Sequence, residues 1–163
     1  KKEQWEYFVD IEKLTQGVPL QHITHTQEFM KMDFYVDENV LIPRPDTEIL
    51  VEEVIKISKK IDRPKVLDLC TGSGAIAISI AKNVPSADVY AVDISEKALG
   101  VAKKNAHRLG ANVKFIKSDL FKELKKTKFD VIVSNPPYIK KEDIPFLTSE
   151  VQKEPEIALN GRT

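Results

Sequence analysis

A chain of 163 residues is long enough for one domain with a substantial hydrophobic core and a short appendage. Hydrophobic residues make up 42% and charged residues 31%, which excludes a disordered tail, and 25 basic against 25 acidic residues exclude a bulk electrostatic grip on nucleic acid. A single cysteine, Cys70, excludes an internal disulfide framework and fits a reducing, cytoplasmic setting, and no apolar run is long enough for a bilayer, so no membrane partner is expected.

Residues 3–14 space Trp5, Phe8, Val9, Ile11 and Leu14 as a helix does, and residues 1–16 read as the end of a helical N-terminal domain. Gly17 and Pro19 break it and open a linker over 17–45. Within the linker, 28–36 and 40–42 read as the two strands of a β-hairpin turning around Asp37, Glu38 and Asn39. Pro43 and Pro45 end the extended stretch. A helix over 47–60 follows, capped by Asp46 or Thr47, with Ile49, Leu50, Val54, Ile55 and Ile57 as its inward side.

From residue 65 the chain alternates. Strands are predicted over 65–69, 88–92, 113–117 and 129–133, with helices over 74–82 and 95–109 between them. That order implies βαβ units, hence an α/β domain over 46–163 with a Rossmann-like parallel sheet and helices on both faces. A sheet ending at the fourth strand leaves an open edge, and the chain starts without methionine. Both fit a portion of a longer protein whose C-terminal strands are missing.

The first strand runs into Asp68-Leu69-Cys70-Thr71-Gly72-Ser73-Gly74, where glycines let backbone N–H groups approach a ligand that a Cβ would block. Gly72-x-Gly74-x-x-Ala77 also satisfies the dinucleotide fingerprint, so a nicotinamide-dependent oxidoreductase stays open. Asp68 tips the reading towards S-adenosylmethionine (SAM), because a carboxylate repels a pyrophosphate and welcomes an ammonium group. Asp93 ends the second strand about 20 residues past Gly72, where such folds set a carboxylate on ribose hydroxyls. Asp119 and Leu120 follow the third strand, where Asp119 can meet an adenine amine.

The fourth strand ends in Ser134-Asn135-Pro136-Pro137-Tyr138. Two prolines make a stiff loop with no N–H at either residue and carbonyls open to other donors. The side-chain oxygen of Asn135 and the carbonyl of Pro136 can each accept one N–H of a planar NH₂ group, aiming its lone pair at a methyl donor. Tyr138 can stack on the group's flat face. These residues make Asn135, Pro136 and Tyr138 the catalytic candidates, and Asn135 to Tyr138 the acceptor site.

With these motifs in view, the sequence resembles the release-factor glutamine methyltransferases, the HemK/PrmC family, from about Gly17 to Gly161. The most specific element is Leu41-Ile42-Pro43-Arg44-Pro45-Asp46-Thr47-Glu48. Glu150-Val151, Glu154-Pro155 and Ala158-Leu159 resemble the family's segment after the reactive loop. The resemblance implies methylation of the glutamine amide in the Gly-Gly-Gln motif of peptide release factors, with SAM as donor. It places Cys70, Thr71, Gly72, Ser73, Gly74, Asp93, Leu120 and Asn135 against SAM, and Asn135 to Tyr138 around the glutamine. Cys70 and His25 stand where the family usually has glycine, and a positive φ at Cys70 would be uncomfortable. Arg162 stands at another such place.

Asn-Pro-Pro-Tyr is shared with DNA and RNA adenine methyltransferases, so adenine N6 in nucleic acid is the alternative acceptor, and a non-catalytic SAM-binding fragment is a further one. Neutral net charge makes a direct nucleic-acid partner unexpected. His22 and His25 lie three apart with no further histidine or cysteine near, so no metal site is expected.

Overall fold

The structure, a computed structural model, describes residues 2–161, with side chains described from Val9 onward. Trp5, Phe8 and Arg162 thus lie outside the described side chains. The N-terminal part contains α1 (Lys2–Thr15), α2 (Leu20–Thr24) and an antiparallel hairpin of β1 (Gln27–Phe29) and β2 (Met32–Phe34). The hairpin does not turn at residues 37–39. It turns at Met30 and Lys31, both in the left-handed region with φ of 50° and 59°. No glycine or asparagine marks that two-residue turn, so its usual signature is missing. What fixes it is burial of Phe29 and Phe34, which meet edge to face at 6.1 Å, and Glu48, whose carboxylate accepts the Met30 N–H at 2.7 Å.

Residues 40–42, expected as a strand, are irregular. Val36 and Val40 are buried against Ala98 and Val101. The fully buried Asn105 pins this segment: its amide accepts the Tyr35 N–H at 2.7 Å and donates to the Tyr35 carbonyl at 2.9 Å. A side-chain amide thus takes the place of a ladder partner.

In α3 (Thr47–Ser58) the buried residues are Val51, Val54, Ile55 and Ser58. Ile49, Leu50 and Ile57, expected to face inward, are exposed. The apolar residues cover more than one face, and periodicity alone selected the wrong part of them. Asp46 occupies the capping position without a side-chain hydrogen bond to the helix.

Four parallel strands, β3 (Lys65–Leu69), β4 (Asp88–Asp93), β5 (Lys114–Lys117) and β6 (Val131–Ser134), form a sheet in the order β5-β4-β3-β6. Two helices link the first three: α4 (Ala75–Asn83) and α5 (Glu96–Leu109), the latter capped by Ser95, whose hydroxyl accepts the Ala98 N–H. The sequence predicts helices on both faces. In the structure α3, α4 and α5 all pack on one face, over Val66, Val89, Ala91 and Val133. Successive right-handed crossovers stepping in one direction keep their helices on one side. The return from β5 past β4 and β3 to β6 runs in the opposite sense. Its connection, residues 118–130, therefore covers the other face, where Leu124 packs on Leu67, Leu69 and Val92. The direction changes between β3 and β6, and the carboxyl ends of these strands flank the place where open α/β sheets bind ligands.

Beyond β6 the chain makes two single 3₁₀ turns and a short α6 (Glu156–Leu159). Ile139 pairs with this last segment: its N–H donates to Leu159, and its carbonyl accepts from Gly161 at 2.9 Å.

Candidate functional site

A cavity of about 340 Å³ opens at the carboxyl ends of the strands. Its wall contains Cys70, Thr71, Gly72 and Ser73 from the glycine-rich turn, Asp93 from β4, and Asp119 and Leu120 after β5. Asn135, Pro136 and Pro137 come from the loop after β6. Ten residues singled out in the sequence are thus brought to one crevice.

Three N–H groups of the turn that leaves β3 are bonded within the protein. The N–H groups of Thr71, Gly72 and Gly74 donate to the Val92 carbonyl, the Asp93 carboxylate and the Thr71 carbonyl, each at 2.9–3.0 Å. A pyrophosphate site needs such groups directed at the ligand, and these three are not available to one. Asp93 accepts from Gly72 on one oxygen and from Ser95 N–H on the other, each at 2.9 Å. Each oxygen keeps lone-pair capacity for a further donor. Gly72 has φ of 55°, and nothing lies within 4 Å of where its Cβ would stand, so the turn is open on that side. Cys70 does adopt the left-handed conformation, at φ of 60°, and so does His25 at 54°. Burial, and secondarily the charge of Asp93, raises the Cys70 thiol above its ordinary value, which disfavours a reactive thiolate.

Three of the expected site residues lie outside the crevice wall. Asp68 is completely buried beneath the turn and is not part of the crevice wall. One of its oxygens accepts from the Thr71 hydroxyl at 2.6 Å and the Ala77 N–H at 3.2 Å; the other is buried without a partner. Burial lifts its pKa to about 7, against the opposing pull of those two hydrogen bonds. It braces the turn from below, away from the crevice wall. Gly74 is likewise absent from the wall. A Cβ there would stand 2.9 Å from Ile78 and 3.1 Å from Ala102, so the glycine permits close packing of α4 on α5. Tyr138 is 78% exposed and also outside the wall. Ile139 is tied back to residues 159 and 161, and side chains alternate along an extended segment, so Tyr138 turns outward.

The structure also explains why the run from Leu41 to Glu48 reads as a unit. Leu41, Pro43, Arg44 and Thr47 line the crevice, and Arg44 is the basic side chain in that wall. The Ile42 N–H and the Arg44 guanidinium both bind the buried carboxylate of Glu154. The Thr47 hydroxyl lies 3.5 Å from the Asn135 amide, and Glu48 holds the hairpin turn. The sequence assigns Arg44 and Glu154 no role, and Thr47 only that of a helix cap. Charge at a fixed offset does not reveal a partner more than 100 residues away. Asn105, whose amide also donates to the Ser73 carbonyl at 2.9 Å, was missed for the same reason.

Residues 45–159 match the methyltransferase small domain family. The release factor glutamine methyltransferase of Moorella thermoacetica is 46% identical over 153 residues, covering 93% of this chain and 54% of that protein. That of Clostridium acetobutylicum is 45% identical over 161 residues, covering 96% and 56%. The chain therefore spans about half the length of the curated relatives it matches. Among solved structures, a SAM dependent methyltransferase from Agrobacterium tumefaciens superposes with a TM-score of 0.58 at 27% identity, covering 69% of this chain and 39% of that one. With its sheet order, its crevice and these relatives in agreement, the chain belongs to the methyltransferase small domain family, among the HemK/PrmC proteins.

Proposed function

We propose that this chain binds SAM and carries the methyl-transfer site for the side-chain amide nitrogen of the glutamine in the Gly-Gly-Gln motif of peptide release factors. The observation that supports it best is that Asn135 and Pro136 share one crevice with Gly72 and Asp93. Acceptor-holding and cofactor-holding residues thus meet at the topological switch of the sheet. The relatives named for this activity are similar over nearly the whole chain.

The wall suits SAM end to end. Asp93 would take the ribose hydroxyls, Ile94 and Leu120 would flank the adenine, and Asp119 lies beside them. At the other end Arg44 and the Thr47 hydroxyl would hold the methionine carboxylate. Bound SAM supplies an electrophilic methyl group on a sulfonium. The chain's own task is to prepare the nucleophile. An amide nitrogen is weak because its lone pair is delocalised. With one N–H donated to the Asn135 oxygen and the other to the Pro136 carbonyl, the group is fixed and its lone pair directed. Orientation of this kind can contribute about 7 kcal/mol or more. No base need act before transfer, since the proton can leave afterwards. Asp68, out of the wall, takes no part in that step.

The protein substrate makes a release factor the proposed partner, and neutral net charge offers no general attraction for nucleic acid. Labelled SAM with release factor and duplex DNA in competition tests the reading. Label should enter the release factor, and a Gly-Gly-Gln to Gly-Gly-Asn change in that substrate should abolish it. Label entering DNA adenine in place of the release factor would overturn it.

A further inference from the structure

Glu154 lies outside the crevice wall and carries no role in the chemistry above, yet it is the carboxylate most deeply engaged with the signature segment. Its side chain is 1% exposed. One oxygen accepts the Ile42 N–H at 2.9 Å, and the other binds the Arg44 guanidinium, whose side chain remains 37% exposed in the crevice. Burying a carboxylate costs several kcal/mol unless its partners are well placed, so a lone surface preference does not account for its position.

The residue after it, Pro155, begins α6. Leu159 at the end of α6 accepts the Ile139 N–H at 3.0 Å, and Gly161 donates back to Ile139 at 2.9 Å. Gly161 is pressed against the reactive loop: a Cβ there would stand 3.3 Å from the Pro137 carbonyl oxygen and 3.3 Å from the Tyr138 Cα. A continuous line of contacts thus runs from Arg44 through Glu154 and α6 to Pro137. Both ends line the same cavity.

From this we infer that Glu154 is a positioning residue which sets the acceptor loop and Arg44 at a fixed separation in the crevice. It touches neither substrate nor cofactor. It acts through Arg44 on one side and through the α6 bridge to Ile139 on the other. This rests on the methyl-transfer reading for its kinetic consequence but not for its structural one.

The test compares Glu154→Gln with Gln152→Ala in the full natural polypeptide. Gln152 donates to the Pro145 and Leu147 carbonyls in the same stretch but lies off the line of contacts, so its change controls for general loosening. In Glu154→Gln, amide exchange at Ile139 and Gly161 should quicken at least ten-fold while Leu67 and Val92 in the sheet are unchanged. Turnover at saturating SAM and release factor should fall at least ten-fold at temperatures well below melting. Gln152→Ala should stay within two-fold of the parent on every measure. Unchanged exchange at Ile139 and Gly161, or turnover within two-fold of the parent despite a lower melting temperature, would show a merely structural acid and overturn the inference. If Glu154→Gln does not fold, Arg44→Lys breaks the fork while sparing α6, and unchanged exchange at Ile139 and Gly161 there overturns it equally. Should the parent fail to methylate a release factor, the substrate reading alone falls, and the exchange measurements still decide the role of Glu154.

Discussion

Cys70 holds a conformation that side chains other than glycine adopt at a cost of about 1–2 kcal/mol. Glycine would relieve that strain and give back about 0.5–1 kcal/mol through the greater freedom of its unfolded chain. Cys70→Gly should therefore stabilise the protein by about 0.5–1 kcal/mol with SAM affinity preserved, as read by denaturant unfolding and calorimetry. A destabilised variant would mean that the thiol packs more favourably than its backbone angle costs. Asp68 presents the opposite case, a side chain in a good conformation and a poor solvent. Its folded pKa of about 7 lies above the unfolded 3.8, so the native state holds more protons between those values. Its contribution to stability therefore declines as pH rises from 3.8 through about 7 and is level above that. Asp68→Asn keeps an acceptor for Thr71 and Ala77 and removes the charge. Its urea midpoint should vary less between pH 5 and pH 8 than the parent's and should equal or exceed the parent's at pH 8. Both residues lie in the stretch that the sequence marks out. The sequence shows that a carboxylate precedes the glycines, but whether it faces the ligand or the underside of the turn depends on which side of β3 is covered.

At the scale of elements, the glycine-rich turn is shaped as much by helix packing as by ligand access. Gly74 at φ of 82° begins α4, and Ala102 of α5 fills the space a side chain would need. Gly74→Ala would combine backbone strain with a contact of 2.9 Å to Ile78 and 3.1 Å to Ala102. It should cost about 2 kcal/mol or more in unfolding free energy and lower SAM affinity by displacing the turn. Full retention of stability would show that α5 yields easily. The alternation of strands and helices from residue 65 onward was legible because turn residues and apolar runs are local signals, and every predicted element there is found within two residues. The place of the hairpin turn is not legible, because Met30 and Lys31 carry no turn signature, and what holds them, Glu48, is distant in sequence. The buried side of α3 is not legible either, because apolar residues exceed what its single covered face can hold. Long-range clips such as Asn105 to Tyr35 and Glu154 to Arg44 leave no periodic trace at all.

For the molecule as a whole, the order β5-β4-β3-β6 decides function more than any single residue. It brings the ends of β3, β4, β5 and β6 to one crevice. Parallel strands share one carboxyl-end edge, so the gathering of Asp93 and Asn135 on that edge was legible from the βαβ pattern, whereas the strand order was not, since crossover handedness fixes the face a connection covers and not the strand it joins. The outward turn of Tyr138 was not, since it depends on the bridge from Ile139 to residues 159–161. The proposed methyl transfer depends on two oxygens at the β6 end, those of Asn135 and Pro136. Single-turnover methyl transfer with Asn135→Ala, on enzyme saturated with SAM, tests this most directly. Loss of one pre-placed hydrogen-bonding partner should slow the chemical step by about 100-fold or more while SAM still binds. Transfer at the parent's rate with Asn135 truncated would contradict it.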